Sequence, residues 1–183
     1  EHDQLDIIYI LDAPRWSESW VKAMEVAEPG VFVASPAFWA QKYAECEKNG
    51  TVKWSTKTVG QEEISVRQIT LDQILQEPFF LTEKNANYRQ ALDQHLASCR
   101  CSLSPVLEIS DTAFIIQMLE QSRGLSFLPL FAVQKQIWEG TLAAVEVDDV
   151  EISMYRQIFY HKNKFRTREM EQFIIFASEE ENH

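Results

Sequence analysis

From Phe79 to Val147 the chain alternates short apolar runs with longer amphipathic stretches. Phe79-Phe80-Leu81 and residues 105–109, 125–128 and 142–147 are each brief and mostly apolar. Between them, residues 88–98, 112–121 and 131–139 carry apolar side chains at helical spacing. A strand buried on both faces reads as a continuous apolar run rather than an alternating one, and a helix between two such strands acts as their crossover. The pattern predicts βαβ units around a mostly parallel sheet, with helices on its faces. Gly124 is expected to close the helix before the third strand as a C′ glycine, and Pro129 to break that strand.

The flanks are less regular. Residues 5–11 and 31–34 are apolar runs rich in β-branched side chains and predict two more buried strands. Trp16, Trp20, Met24 and Ala27 lie between them at a loose helical spacing, which predicts an irregular or helical link. Residues 40–48 suit a short polar helix stopped by Asn49-Gly50. Residues 51–59 could pair as a hairpin or form a loose excursion, the whole stretch 38–68 reads as an insertion on the surface, and residues 71–75 suit a short helix or turn. Residues 155–161 read as a strand and 167–177 as a helix. In that last helix Met170, Phe173, Ile174 and Ala177 form an i, i+3, i+4, i+7 stripe, and the acidic tail from Glu179 is expected to be solvated.

Charge narrows the possible partners. Lys and Arg total 17 against 28 Asp and Glu, a formal charge of −11 over 183 residues. Nucleic-acid binding draws most of its free energy from cations that neutralise phosphates, so this balance argues against DNA or RNA as a direct partner. Arg156, Lys162, Lys164, Arg166 and Arg168 are interleaved with Phe159 and Tyr160, and on this acidic background they read as a solvated turn. No apolar run approaches the roughly 20 residues needed to cross a bilayer, and the N-terminal residues carry no signal-peptide pattern. The cysteines, Cys46, Cys99 and Cys101, make neither a disulfide framework nor a usual zinc spacing, and they are expected to be ordinary thiols.

Two strand-to-helix turns concentrate chemistry. Thr82, Glu83, Lys84, Asn85, Tyr88 and Arg89 crowd the first, and Ser110, Asp111 and Thr112 the second. Helix starts of this kind attract anions through backbone N–H groups and the helix dipole, and Lys84 or Arg89 could add charge-assisted hydrogen bonds. A plainer reading accounts for either turn taken alone, and only the convergence of the two lifts the ligand reading. Asn85 or Asn87 would cap the first helix with Arg89 on its solvent face, and one of Ser110, Asp111 or Thr112 would cap the second. Enzymatic signatures are missing. Gly124 to Leu128 lacks the second glycine of a nucleophile elbow. The five glycines form no phosphate loop, and His2, His95, His161 and His183 show no metal-ligand spacing. No catalytic residue, cofactor or metal is expected.

The order of these motifs resembles LysR-type transcriptional regulators over nearly the whole chain. Residues 69–83, Ile-Thr-Leu-Asp-Gln-Ile-Leu-Gln-Glu-Pro-Phe-Phe-Leu-Thr-Glu, resemble the opening of the second subdomain of that family's effector-binding region. Residues 110–118, then Arg123-Gly124-Leu125-Ser126-Phe127-Leu128-Pro129, resemble its helix, glycine turn and strand ending in proline. Residues 140–147 and 154–173 are similar to its closing strands and last helix.

The resemblance implies a periplasmic-binding-protein-like (type 2) α/β fold, with two subdomains of mostly parallel sheet and a hinge of two crossing strands. The crossings map near Ala34-Ser35-Pro36 and Ser153-Met154-Tyr155. Subdomain I would comprise residues 1–35 and 154–183, incomplete at its N-terminus, and subdomain II residues 38–148. The family's N-terminal winged helix-turn-helix has no counterpart here, and residues 39–66 are longer than its usual link.

It further implies a small effector, an organic anion, between the subdomains, contacted by Thr82, Glu83, Asn85, Tyr88, Arg89, Ser110, Asp111 and Thr112, with Pro129 bordering the cleft. A cytoplasmic homodimer or homotetramer follows from the same resemblance. DNA contact would come only through the helix-turn-helix domain, with no role for a membrane. A solute-binding protein of a transporter, with the same architecture, is the alternative; an enzyme is a distant third.

Overall fold

The computed structural model describes residues 6–12, 18–48, 53–59, 62–121, 123–148 and 150–179. They fall into two compact units, Glu1–Glu28 with Ser153–His183, and Pro29–Ile152. Trp16, the helix stop at Asn49-Gly50 and the tail beyond Glu179 lie outside the described residues.

In the first unit β1 (Ile7–Asp12) pairs antiparallel with β9 (Ser153–His161), from Ile7 opposite Tyr160 to Asp12 opposite Tyr155. The first half of β2 (Trp20–Ala34) lies on the other side of β9. Met24, Ile158, Phe159 and Met170, the last from α6 (Arg168–Glu179), are buried. Phe173 of α6 stays 41% exposed and meets Tyr9 edge-on, ring centroids 6.3 Å apart.

The link expected to be irregular or helical is, from Trp20 onward, a continuous strand of 15 residues. Trp20, Met24 and Glu28 recur every fourth position, and four is a multiple of the strand period as well as nearly one helical turn. The β-branched residues Val21, Val26, Val31 and Val33 decide for the strand. Its polar positions find partners on β9. Lys22 and Gln157 hydrogen-bond the Glu25 carboxylate, at 2.6 and 2.5 Å, and hold it below the usual carboxylate range. Arg156 approaches the buried Glu28 at 2.9 Å. The basic run is similarly answered, by Asp6 for Lys164 (2.8 Å) and Glu171 for Arg166 (3.9 Å), with Arg166 also over the Tyr160 ring.

The second unit begins as β2 continues through Gly30. Ser35 then caps α1 (Pro36–Lys48), its hydroxyl accepting from Phe38 N–H at 3.1 Å, and Pro36 takes the first helical position, where no N–H is needed. A hairpin follows, β3 (Lys53–Val59) with β4 (Glu62–Ile69). Thr70 and Gln73 form a capping box on the short α2 (Leu71–Ile74). The expected alternation comes next: β5 (Phe80–Leu81), α3 (Asn87–Ser98), β6 (Leu107–Glu108), α4 (Thr112–Glu120), β7 (Leu125–Pro129), α5 (Leu130–Trp138) and β8 (Ala143–Val147).

The pairing order is β6, β5, β7, β2, β8, β4, β3, with Phe79 and Leu125 bridging β5 to β7 in parallel. Strands β5, β6, β7, β8 and β4 share one direction. The two that run against them are β2, which enters from the first unit, and β3, the outer arm of the hairpin. The sheet is therefore mixed, and it is parallel where helices make the crossovers.

Alternation along the strands divides the core in two. Phe32, Phe79, Leu81 and Phe127 point to one face and pack with Trp39 of α1 and Leu92 and Leu96 of α3. Val33, Phe80 and Leu128 point to the other and pack with Ile115 and Leu119 of α4 and Val133 of α5. Helices on both faces explain why every residue of β7 is buried.

Gly124 differs from its expected role. The C-cap of α4 is Gln121, so Gly124 lies beyond the C′ position. Its φ is 148°, and a Cβ there would sit 2.3 Å from the Pro78 carbonyl oxygen, which accepts from Leu125 N–H at 2.9 Å. Glycine is needed because two backbones touch. The true C′ glycine is Gly140 after α5. At φ 73° it donates to Ile137, while Thr141 donates to Gln136, a Schellman closure.

Candidate functional site

Because β6, β5 and β7 run in parallel, their carboxyl ends lie along one edge of the second unit's sheet, and α3, α4 and α5 all start there. Open α/β sheets bind ligands at such edges, where helix N-termini present N–H groups. Each predicted residue can be placed on this edge.

Thr82 follows β5 directly and is 2% exposed. Its Oγ1 has no hydrogen-bond partner among the described residues. Its carbonyl oxygen accepts from Arg89 Nη1 at 2.8 Å. Glu83 and Asn85 are exposed, and they shape the turn through their backbones. Glu83 C=O accepts from Ala86 N–H at 3.0 Å, and Asn85 C=O accepts from the Gln90 side chain at 3.3 Å. Neither asparagine is the cap of α3; the N-cap is Ala86, with no side-chain cap hydrogen bond.

Arg89 is buried, 2% exposed, and not on the solvent face of α3. Its Nε donates to both oxygens of Asp93 at 3.0 Å, and its Nη1 is shared between the Thr82 carbonyl and Glu108 Oε2 at 2.9 Å. One guanidinium thus ties the end of β5 to β6 and to the first turns of α3. Two carboxylates answer its charge.

On the second turn Asp111 is the N-cap of α4, its Oδ1 accepting from Phe114 N–H at 3.1 Å, and Ser110 is exposed beside it. Thr112 Oγ1 lies 3.4 Å from Tyr88 Oη, so side chains of the two turns meet. Pro129, buried at the end of β7, is the N-cap of α5 without a side-chain cap hydrogen bond, and it pairs across to Gly30 of β2. Gly30 must lack a side chain, since a Cβ there would sit 2.1 Å from the Phe127 ring.

Sequence reasoning missed Ser126. It is fully buried in β7 and donates to the Phe80 carbonyl at 2.7 Å, fastening β7 to β5. A lone serine within an apolar run was its signal. Among the described residues no three His, Cys, Asp or Glu side chains are placed to hold a metal ion. No helix of the described residues is long and apolar enough to cross a membrane.

A mixed α/β sheet covered on both faces, with three helix starts along one edge, defines an open α/β domain of the ligand-binding type. A family model described as the LysR substrate binding domain matches residues 62–181, and the chain belongs to that family. It is a family of transcriptional-regulator domains and not of enzymes. Membership favours the regulator reading over a transporter's solute-binding protein.

The chain is 24% identical over 119 residues to the HTH-type transcriptional activator CmpR of Synechocystis sp. (strain ATCC 27184 / PCC 6803 / Kazusa). That match covers 64% of this chain and 39% of CmpR, so the chain spans well under half of that relative's length. Among solved structures, the regulatory domain of Synechocystis PCC6803 CcmR in complex with 2-PG superposes with a TM-score of 0.67 at 15% identity, over 99% of this chain and 76% of that one. The bromide-bound regulatory domain of HypT from Salmonella typhimurium gives 0.59 at 14%, over 97% and 72%. These likenesses show the fold, with a type 2 periplasmic-binding-protein-like architecture.

Proposed function

We propose that this domain senses a small anion, and that the site is the carboxyl edge formed by β5, β6 and β7. The observation that carries the reading is the Thr82 hydroxyl, which is buried at that edge without a partner among the described residues. Leaving a buried hydroxyl unsatisfied costs about 1–3 kcal/mol, a cost that a ligand acceptor would relieve. Ser110 and Thr112 would supply further hydroxyls, with Tyr88 orienting Thr112. Glu83 and Asn85 form the rim, Asp111 holds the start of α4, and Pro129 fixes that of α5. Arg89 is a positioning residue, because its charge is already answered by Asp93 and Glu108. An anion here is therefore held by hydroxyls and helix-start amides, which suits a compact oxyanion. Relatives in this fold carry 2-PG (2-phosphoglycolate) and bromide, both anions.

In the complete regulator, a ligand that prefers one conformation shifts the population toward it, and DNA binding by a helix-turn-helix domain responds. The regulatory subdomains, residues 1–35 with 154–183 and 38–148, would correspond to the two compact units, whose own boundaries fall after Glu28 and after Ile152. The protein would act in the cytoplasm as a homodimer or homotetramer, with no catalytic role.

Calorimetry and thermal unfolding with 2-phosphoglycolate, inorganic phosphate and simple carboxylates test this. At least one should stabilise the domain saturably, by about 2.7 kcal/mol at a hundredfold excess over Kd. Thr82→Val should weaken that ligand about tenfold while leaving the unliganded Tm unchanged or higher. If none of these anions binds, or the valine variant binds as tightly as the wild type, the reading fails.

A further inference from the structure

The far end of α3 carries a cluster that the effector edge does not use. The helix stops at Cys99, its C-cap, and Arg100 takes the C′ position with φ 59°. Among the described residues it is the one non-glycine with a positive φ. Arg100 N–H donates to Ala97 C=O at 3.0 Å and Cys101 N–H to Leu96 C=O at 2.8 Å, the same closure that Gly140 makes after α5. An arginine in this conformation is strained by about 1 kcal/mol or more.

The turn gathers reactive groups. Cys99 is an exposed free thiol whose Sγ lies 3.8 Å from His95 Nε2, one helical turn earlier, and 3.8 Å from Ser98 Oγ. Cys101, also free and partly buried, points its thiol at the Cys99 carbonyl at 3.6 Å. A residue in a helical turn of either hand separates its neighbours' Cα atoms by roughly 5.4 Å. That lies inside the window of about 4.4–6.8 Å that a disulfide spans. Among the described residues no three His, Cys, Asp or Glu side chains, these included, are placed to hold a metal ion.

We propose that Cys99-Arg100-Cys101, with His95, is a dithiol site for two-electron oxidants of the hydroperoxide class. His95 Nε2 takes the Cys99 thiol proton, and the thiolate attacks the distal oxygen of the hydroperoxide. The O–O bond breaks, the alkoxide leaves with that proton as an alcohol, and Cys99 becomes a sulfenic acid. The Cys101 sulfur then attacks the Cys99 sulfur; the S–O bond breaks and the hydroxyl departs with the Cys101 proton as water. Two thiols and one hydroperoxide give one disulfide, one alcohol and one water, the sulfur pair losing two electrons and the peroxide gaining them. The turn at Arg100 keeps the two cysteines within the Cα separation of a disulfide, and the Cys101 thiol turns from the Cys99 carbonyl to reach the Cys99 sulfur.

Hydrogen peroxide added to the reduced full chain tests this, followed by alkylation and mass spectrometry on a digest that keeps residues 97–103 in one peptide. That peptide should lose two hydrogens and resist alkylation, and Cys46 should remain alkylatable. Cys101→Ser should stop at a Cys99 sulfenic acid, trapped as one dimedone adduct. His95→Asn should slow peroxide consumption at least about tenfold, below the usual contribution of a positioned base. Direct passage of the wild type to sulfinic acid, disulfides formed only between chains, or His95→Asn reacting at the wild-type rate would each overturn the proposal.

Discussion

The two turns that open α3 and α4 look alike in sequence and are held in different ways. The second is local: Asp111 caps a helix three residues ahead, and the bond is exposed. The first has no side-chain cap. Its order comes from Arg89, which reaches back to the Thr82 carbonyl and across to Glu108, 19 positions along the chain. The first turn is thus a product of the tertiary fold, the second of the sequence beside it. The long-range solution also leaves Thr82 with its carbonyl used and its hydroxyl unpartnered among the described residues, the group that the proposed ligand would take.

The largest expected effect follows from that dependence. Arg89→Ala leaves Asp93 and Glu108 facing each other without their cation and frees the Thr82 carbonyl. Removing one partner of a buried ion pair costs about 3–5 kcal/mol. Asp93 and Glu108 are 40% and 36% exposed, so water softens the loss; about 3 kcal/mol is expected by urea denaturation. Arg89→Lys should recover less than half, because an ammonium lacks the planar fork that serves three partners. A loss for Arg89→Ala below about 1 kcal/mol would place the first turn in the same local category as the second.

How far the sequence discloses these elements depends on the range of the interactions that decide them. The βαβ rhythm from β5 to β8 is legible because each strand is apolar along its whole length and each helix has its own stripe. Asp111 is legible as a cap because its bond closes within three residues. Arg89 is not, since a charged side chain on a helix announces solvent, and its partner Glu108 is known only once β5 and β6 lie side by side. The strand from Trp20 was hidden by a spacing of four, which serves both helix and strand. Gly124 looked like a helix stop although its reason is the Pro78 carbonyl, a contact between distant segments of the chain. At the candidate site the residue types mark the two turns as candidates, while which groups are consumed by the fold needs the packing.

Two smaller effects sharpen the contrast. Asp111→Ala removes an exposed cap and should cost about 1 kcal/mol; Asp111→Ser or Asp111→Asn should restore most of it. Because the cap is local, its loss should add to that of Arg89→Ala within a few tenths of a kcal/mol. Marked non-additivity would mean that the turns share a single support.

The smallest effect concerns the hydroxyl pair between them. Tyr88 Oη and Thr112 Oγ1 are 3.4 Å apart, near the outer limit of a hydrogen bond, and partly open to water. Tyr88→Phe should therefore cost no more than about 0.5 kcal/mol. A double-mutant cycle with Thr112→Val measures the coupling directly by urea denaturation. A value near zero means that the turns approach each other without being locked, leaving Thr112 Oγ1 able to exchange Tyr88 for a ligand oxygen at little cost. A coupling above about 1.5 kcal/mol would mean that the hydroxyls are already bound to each other. Thr112 would then be tied into the fold as firmly as Arg89, and Thr82 would be left as the more open of the two hydroxyls.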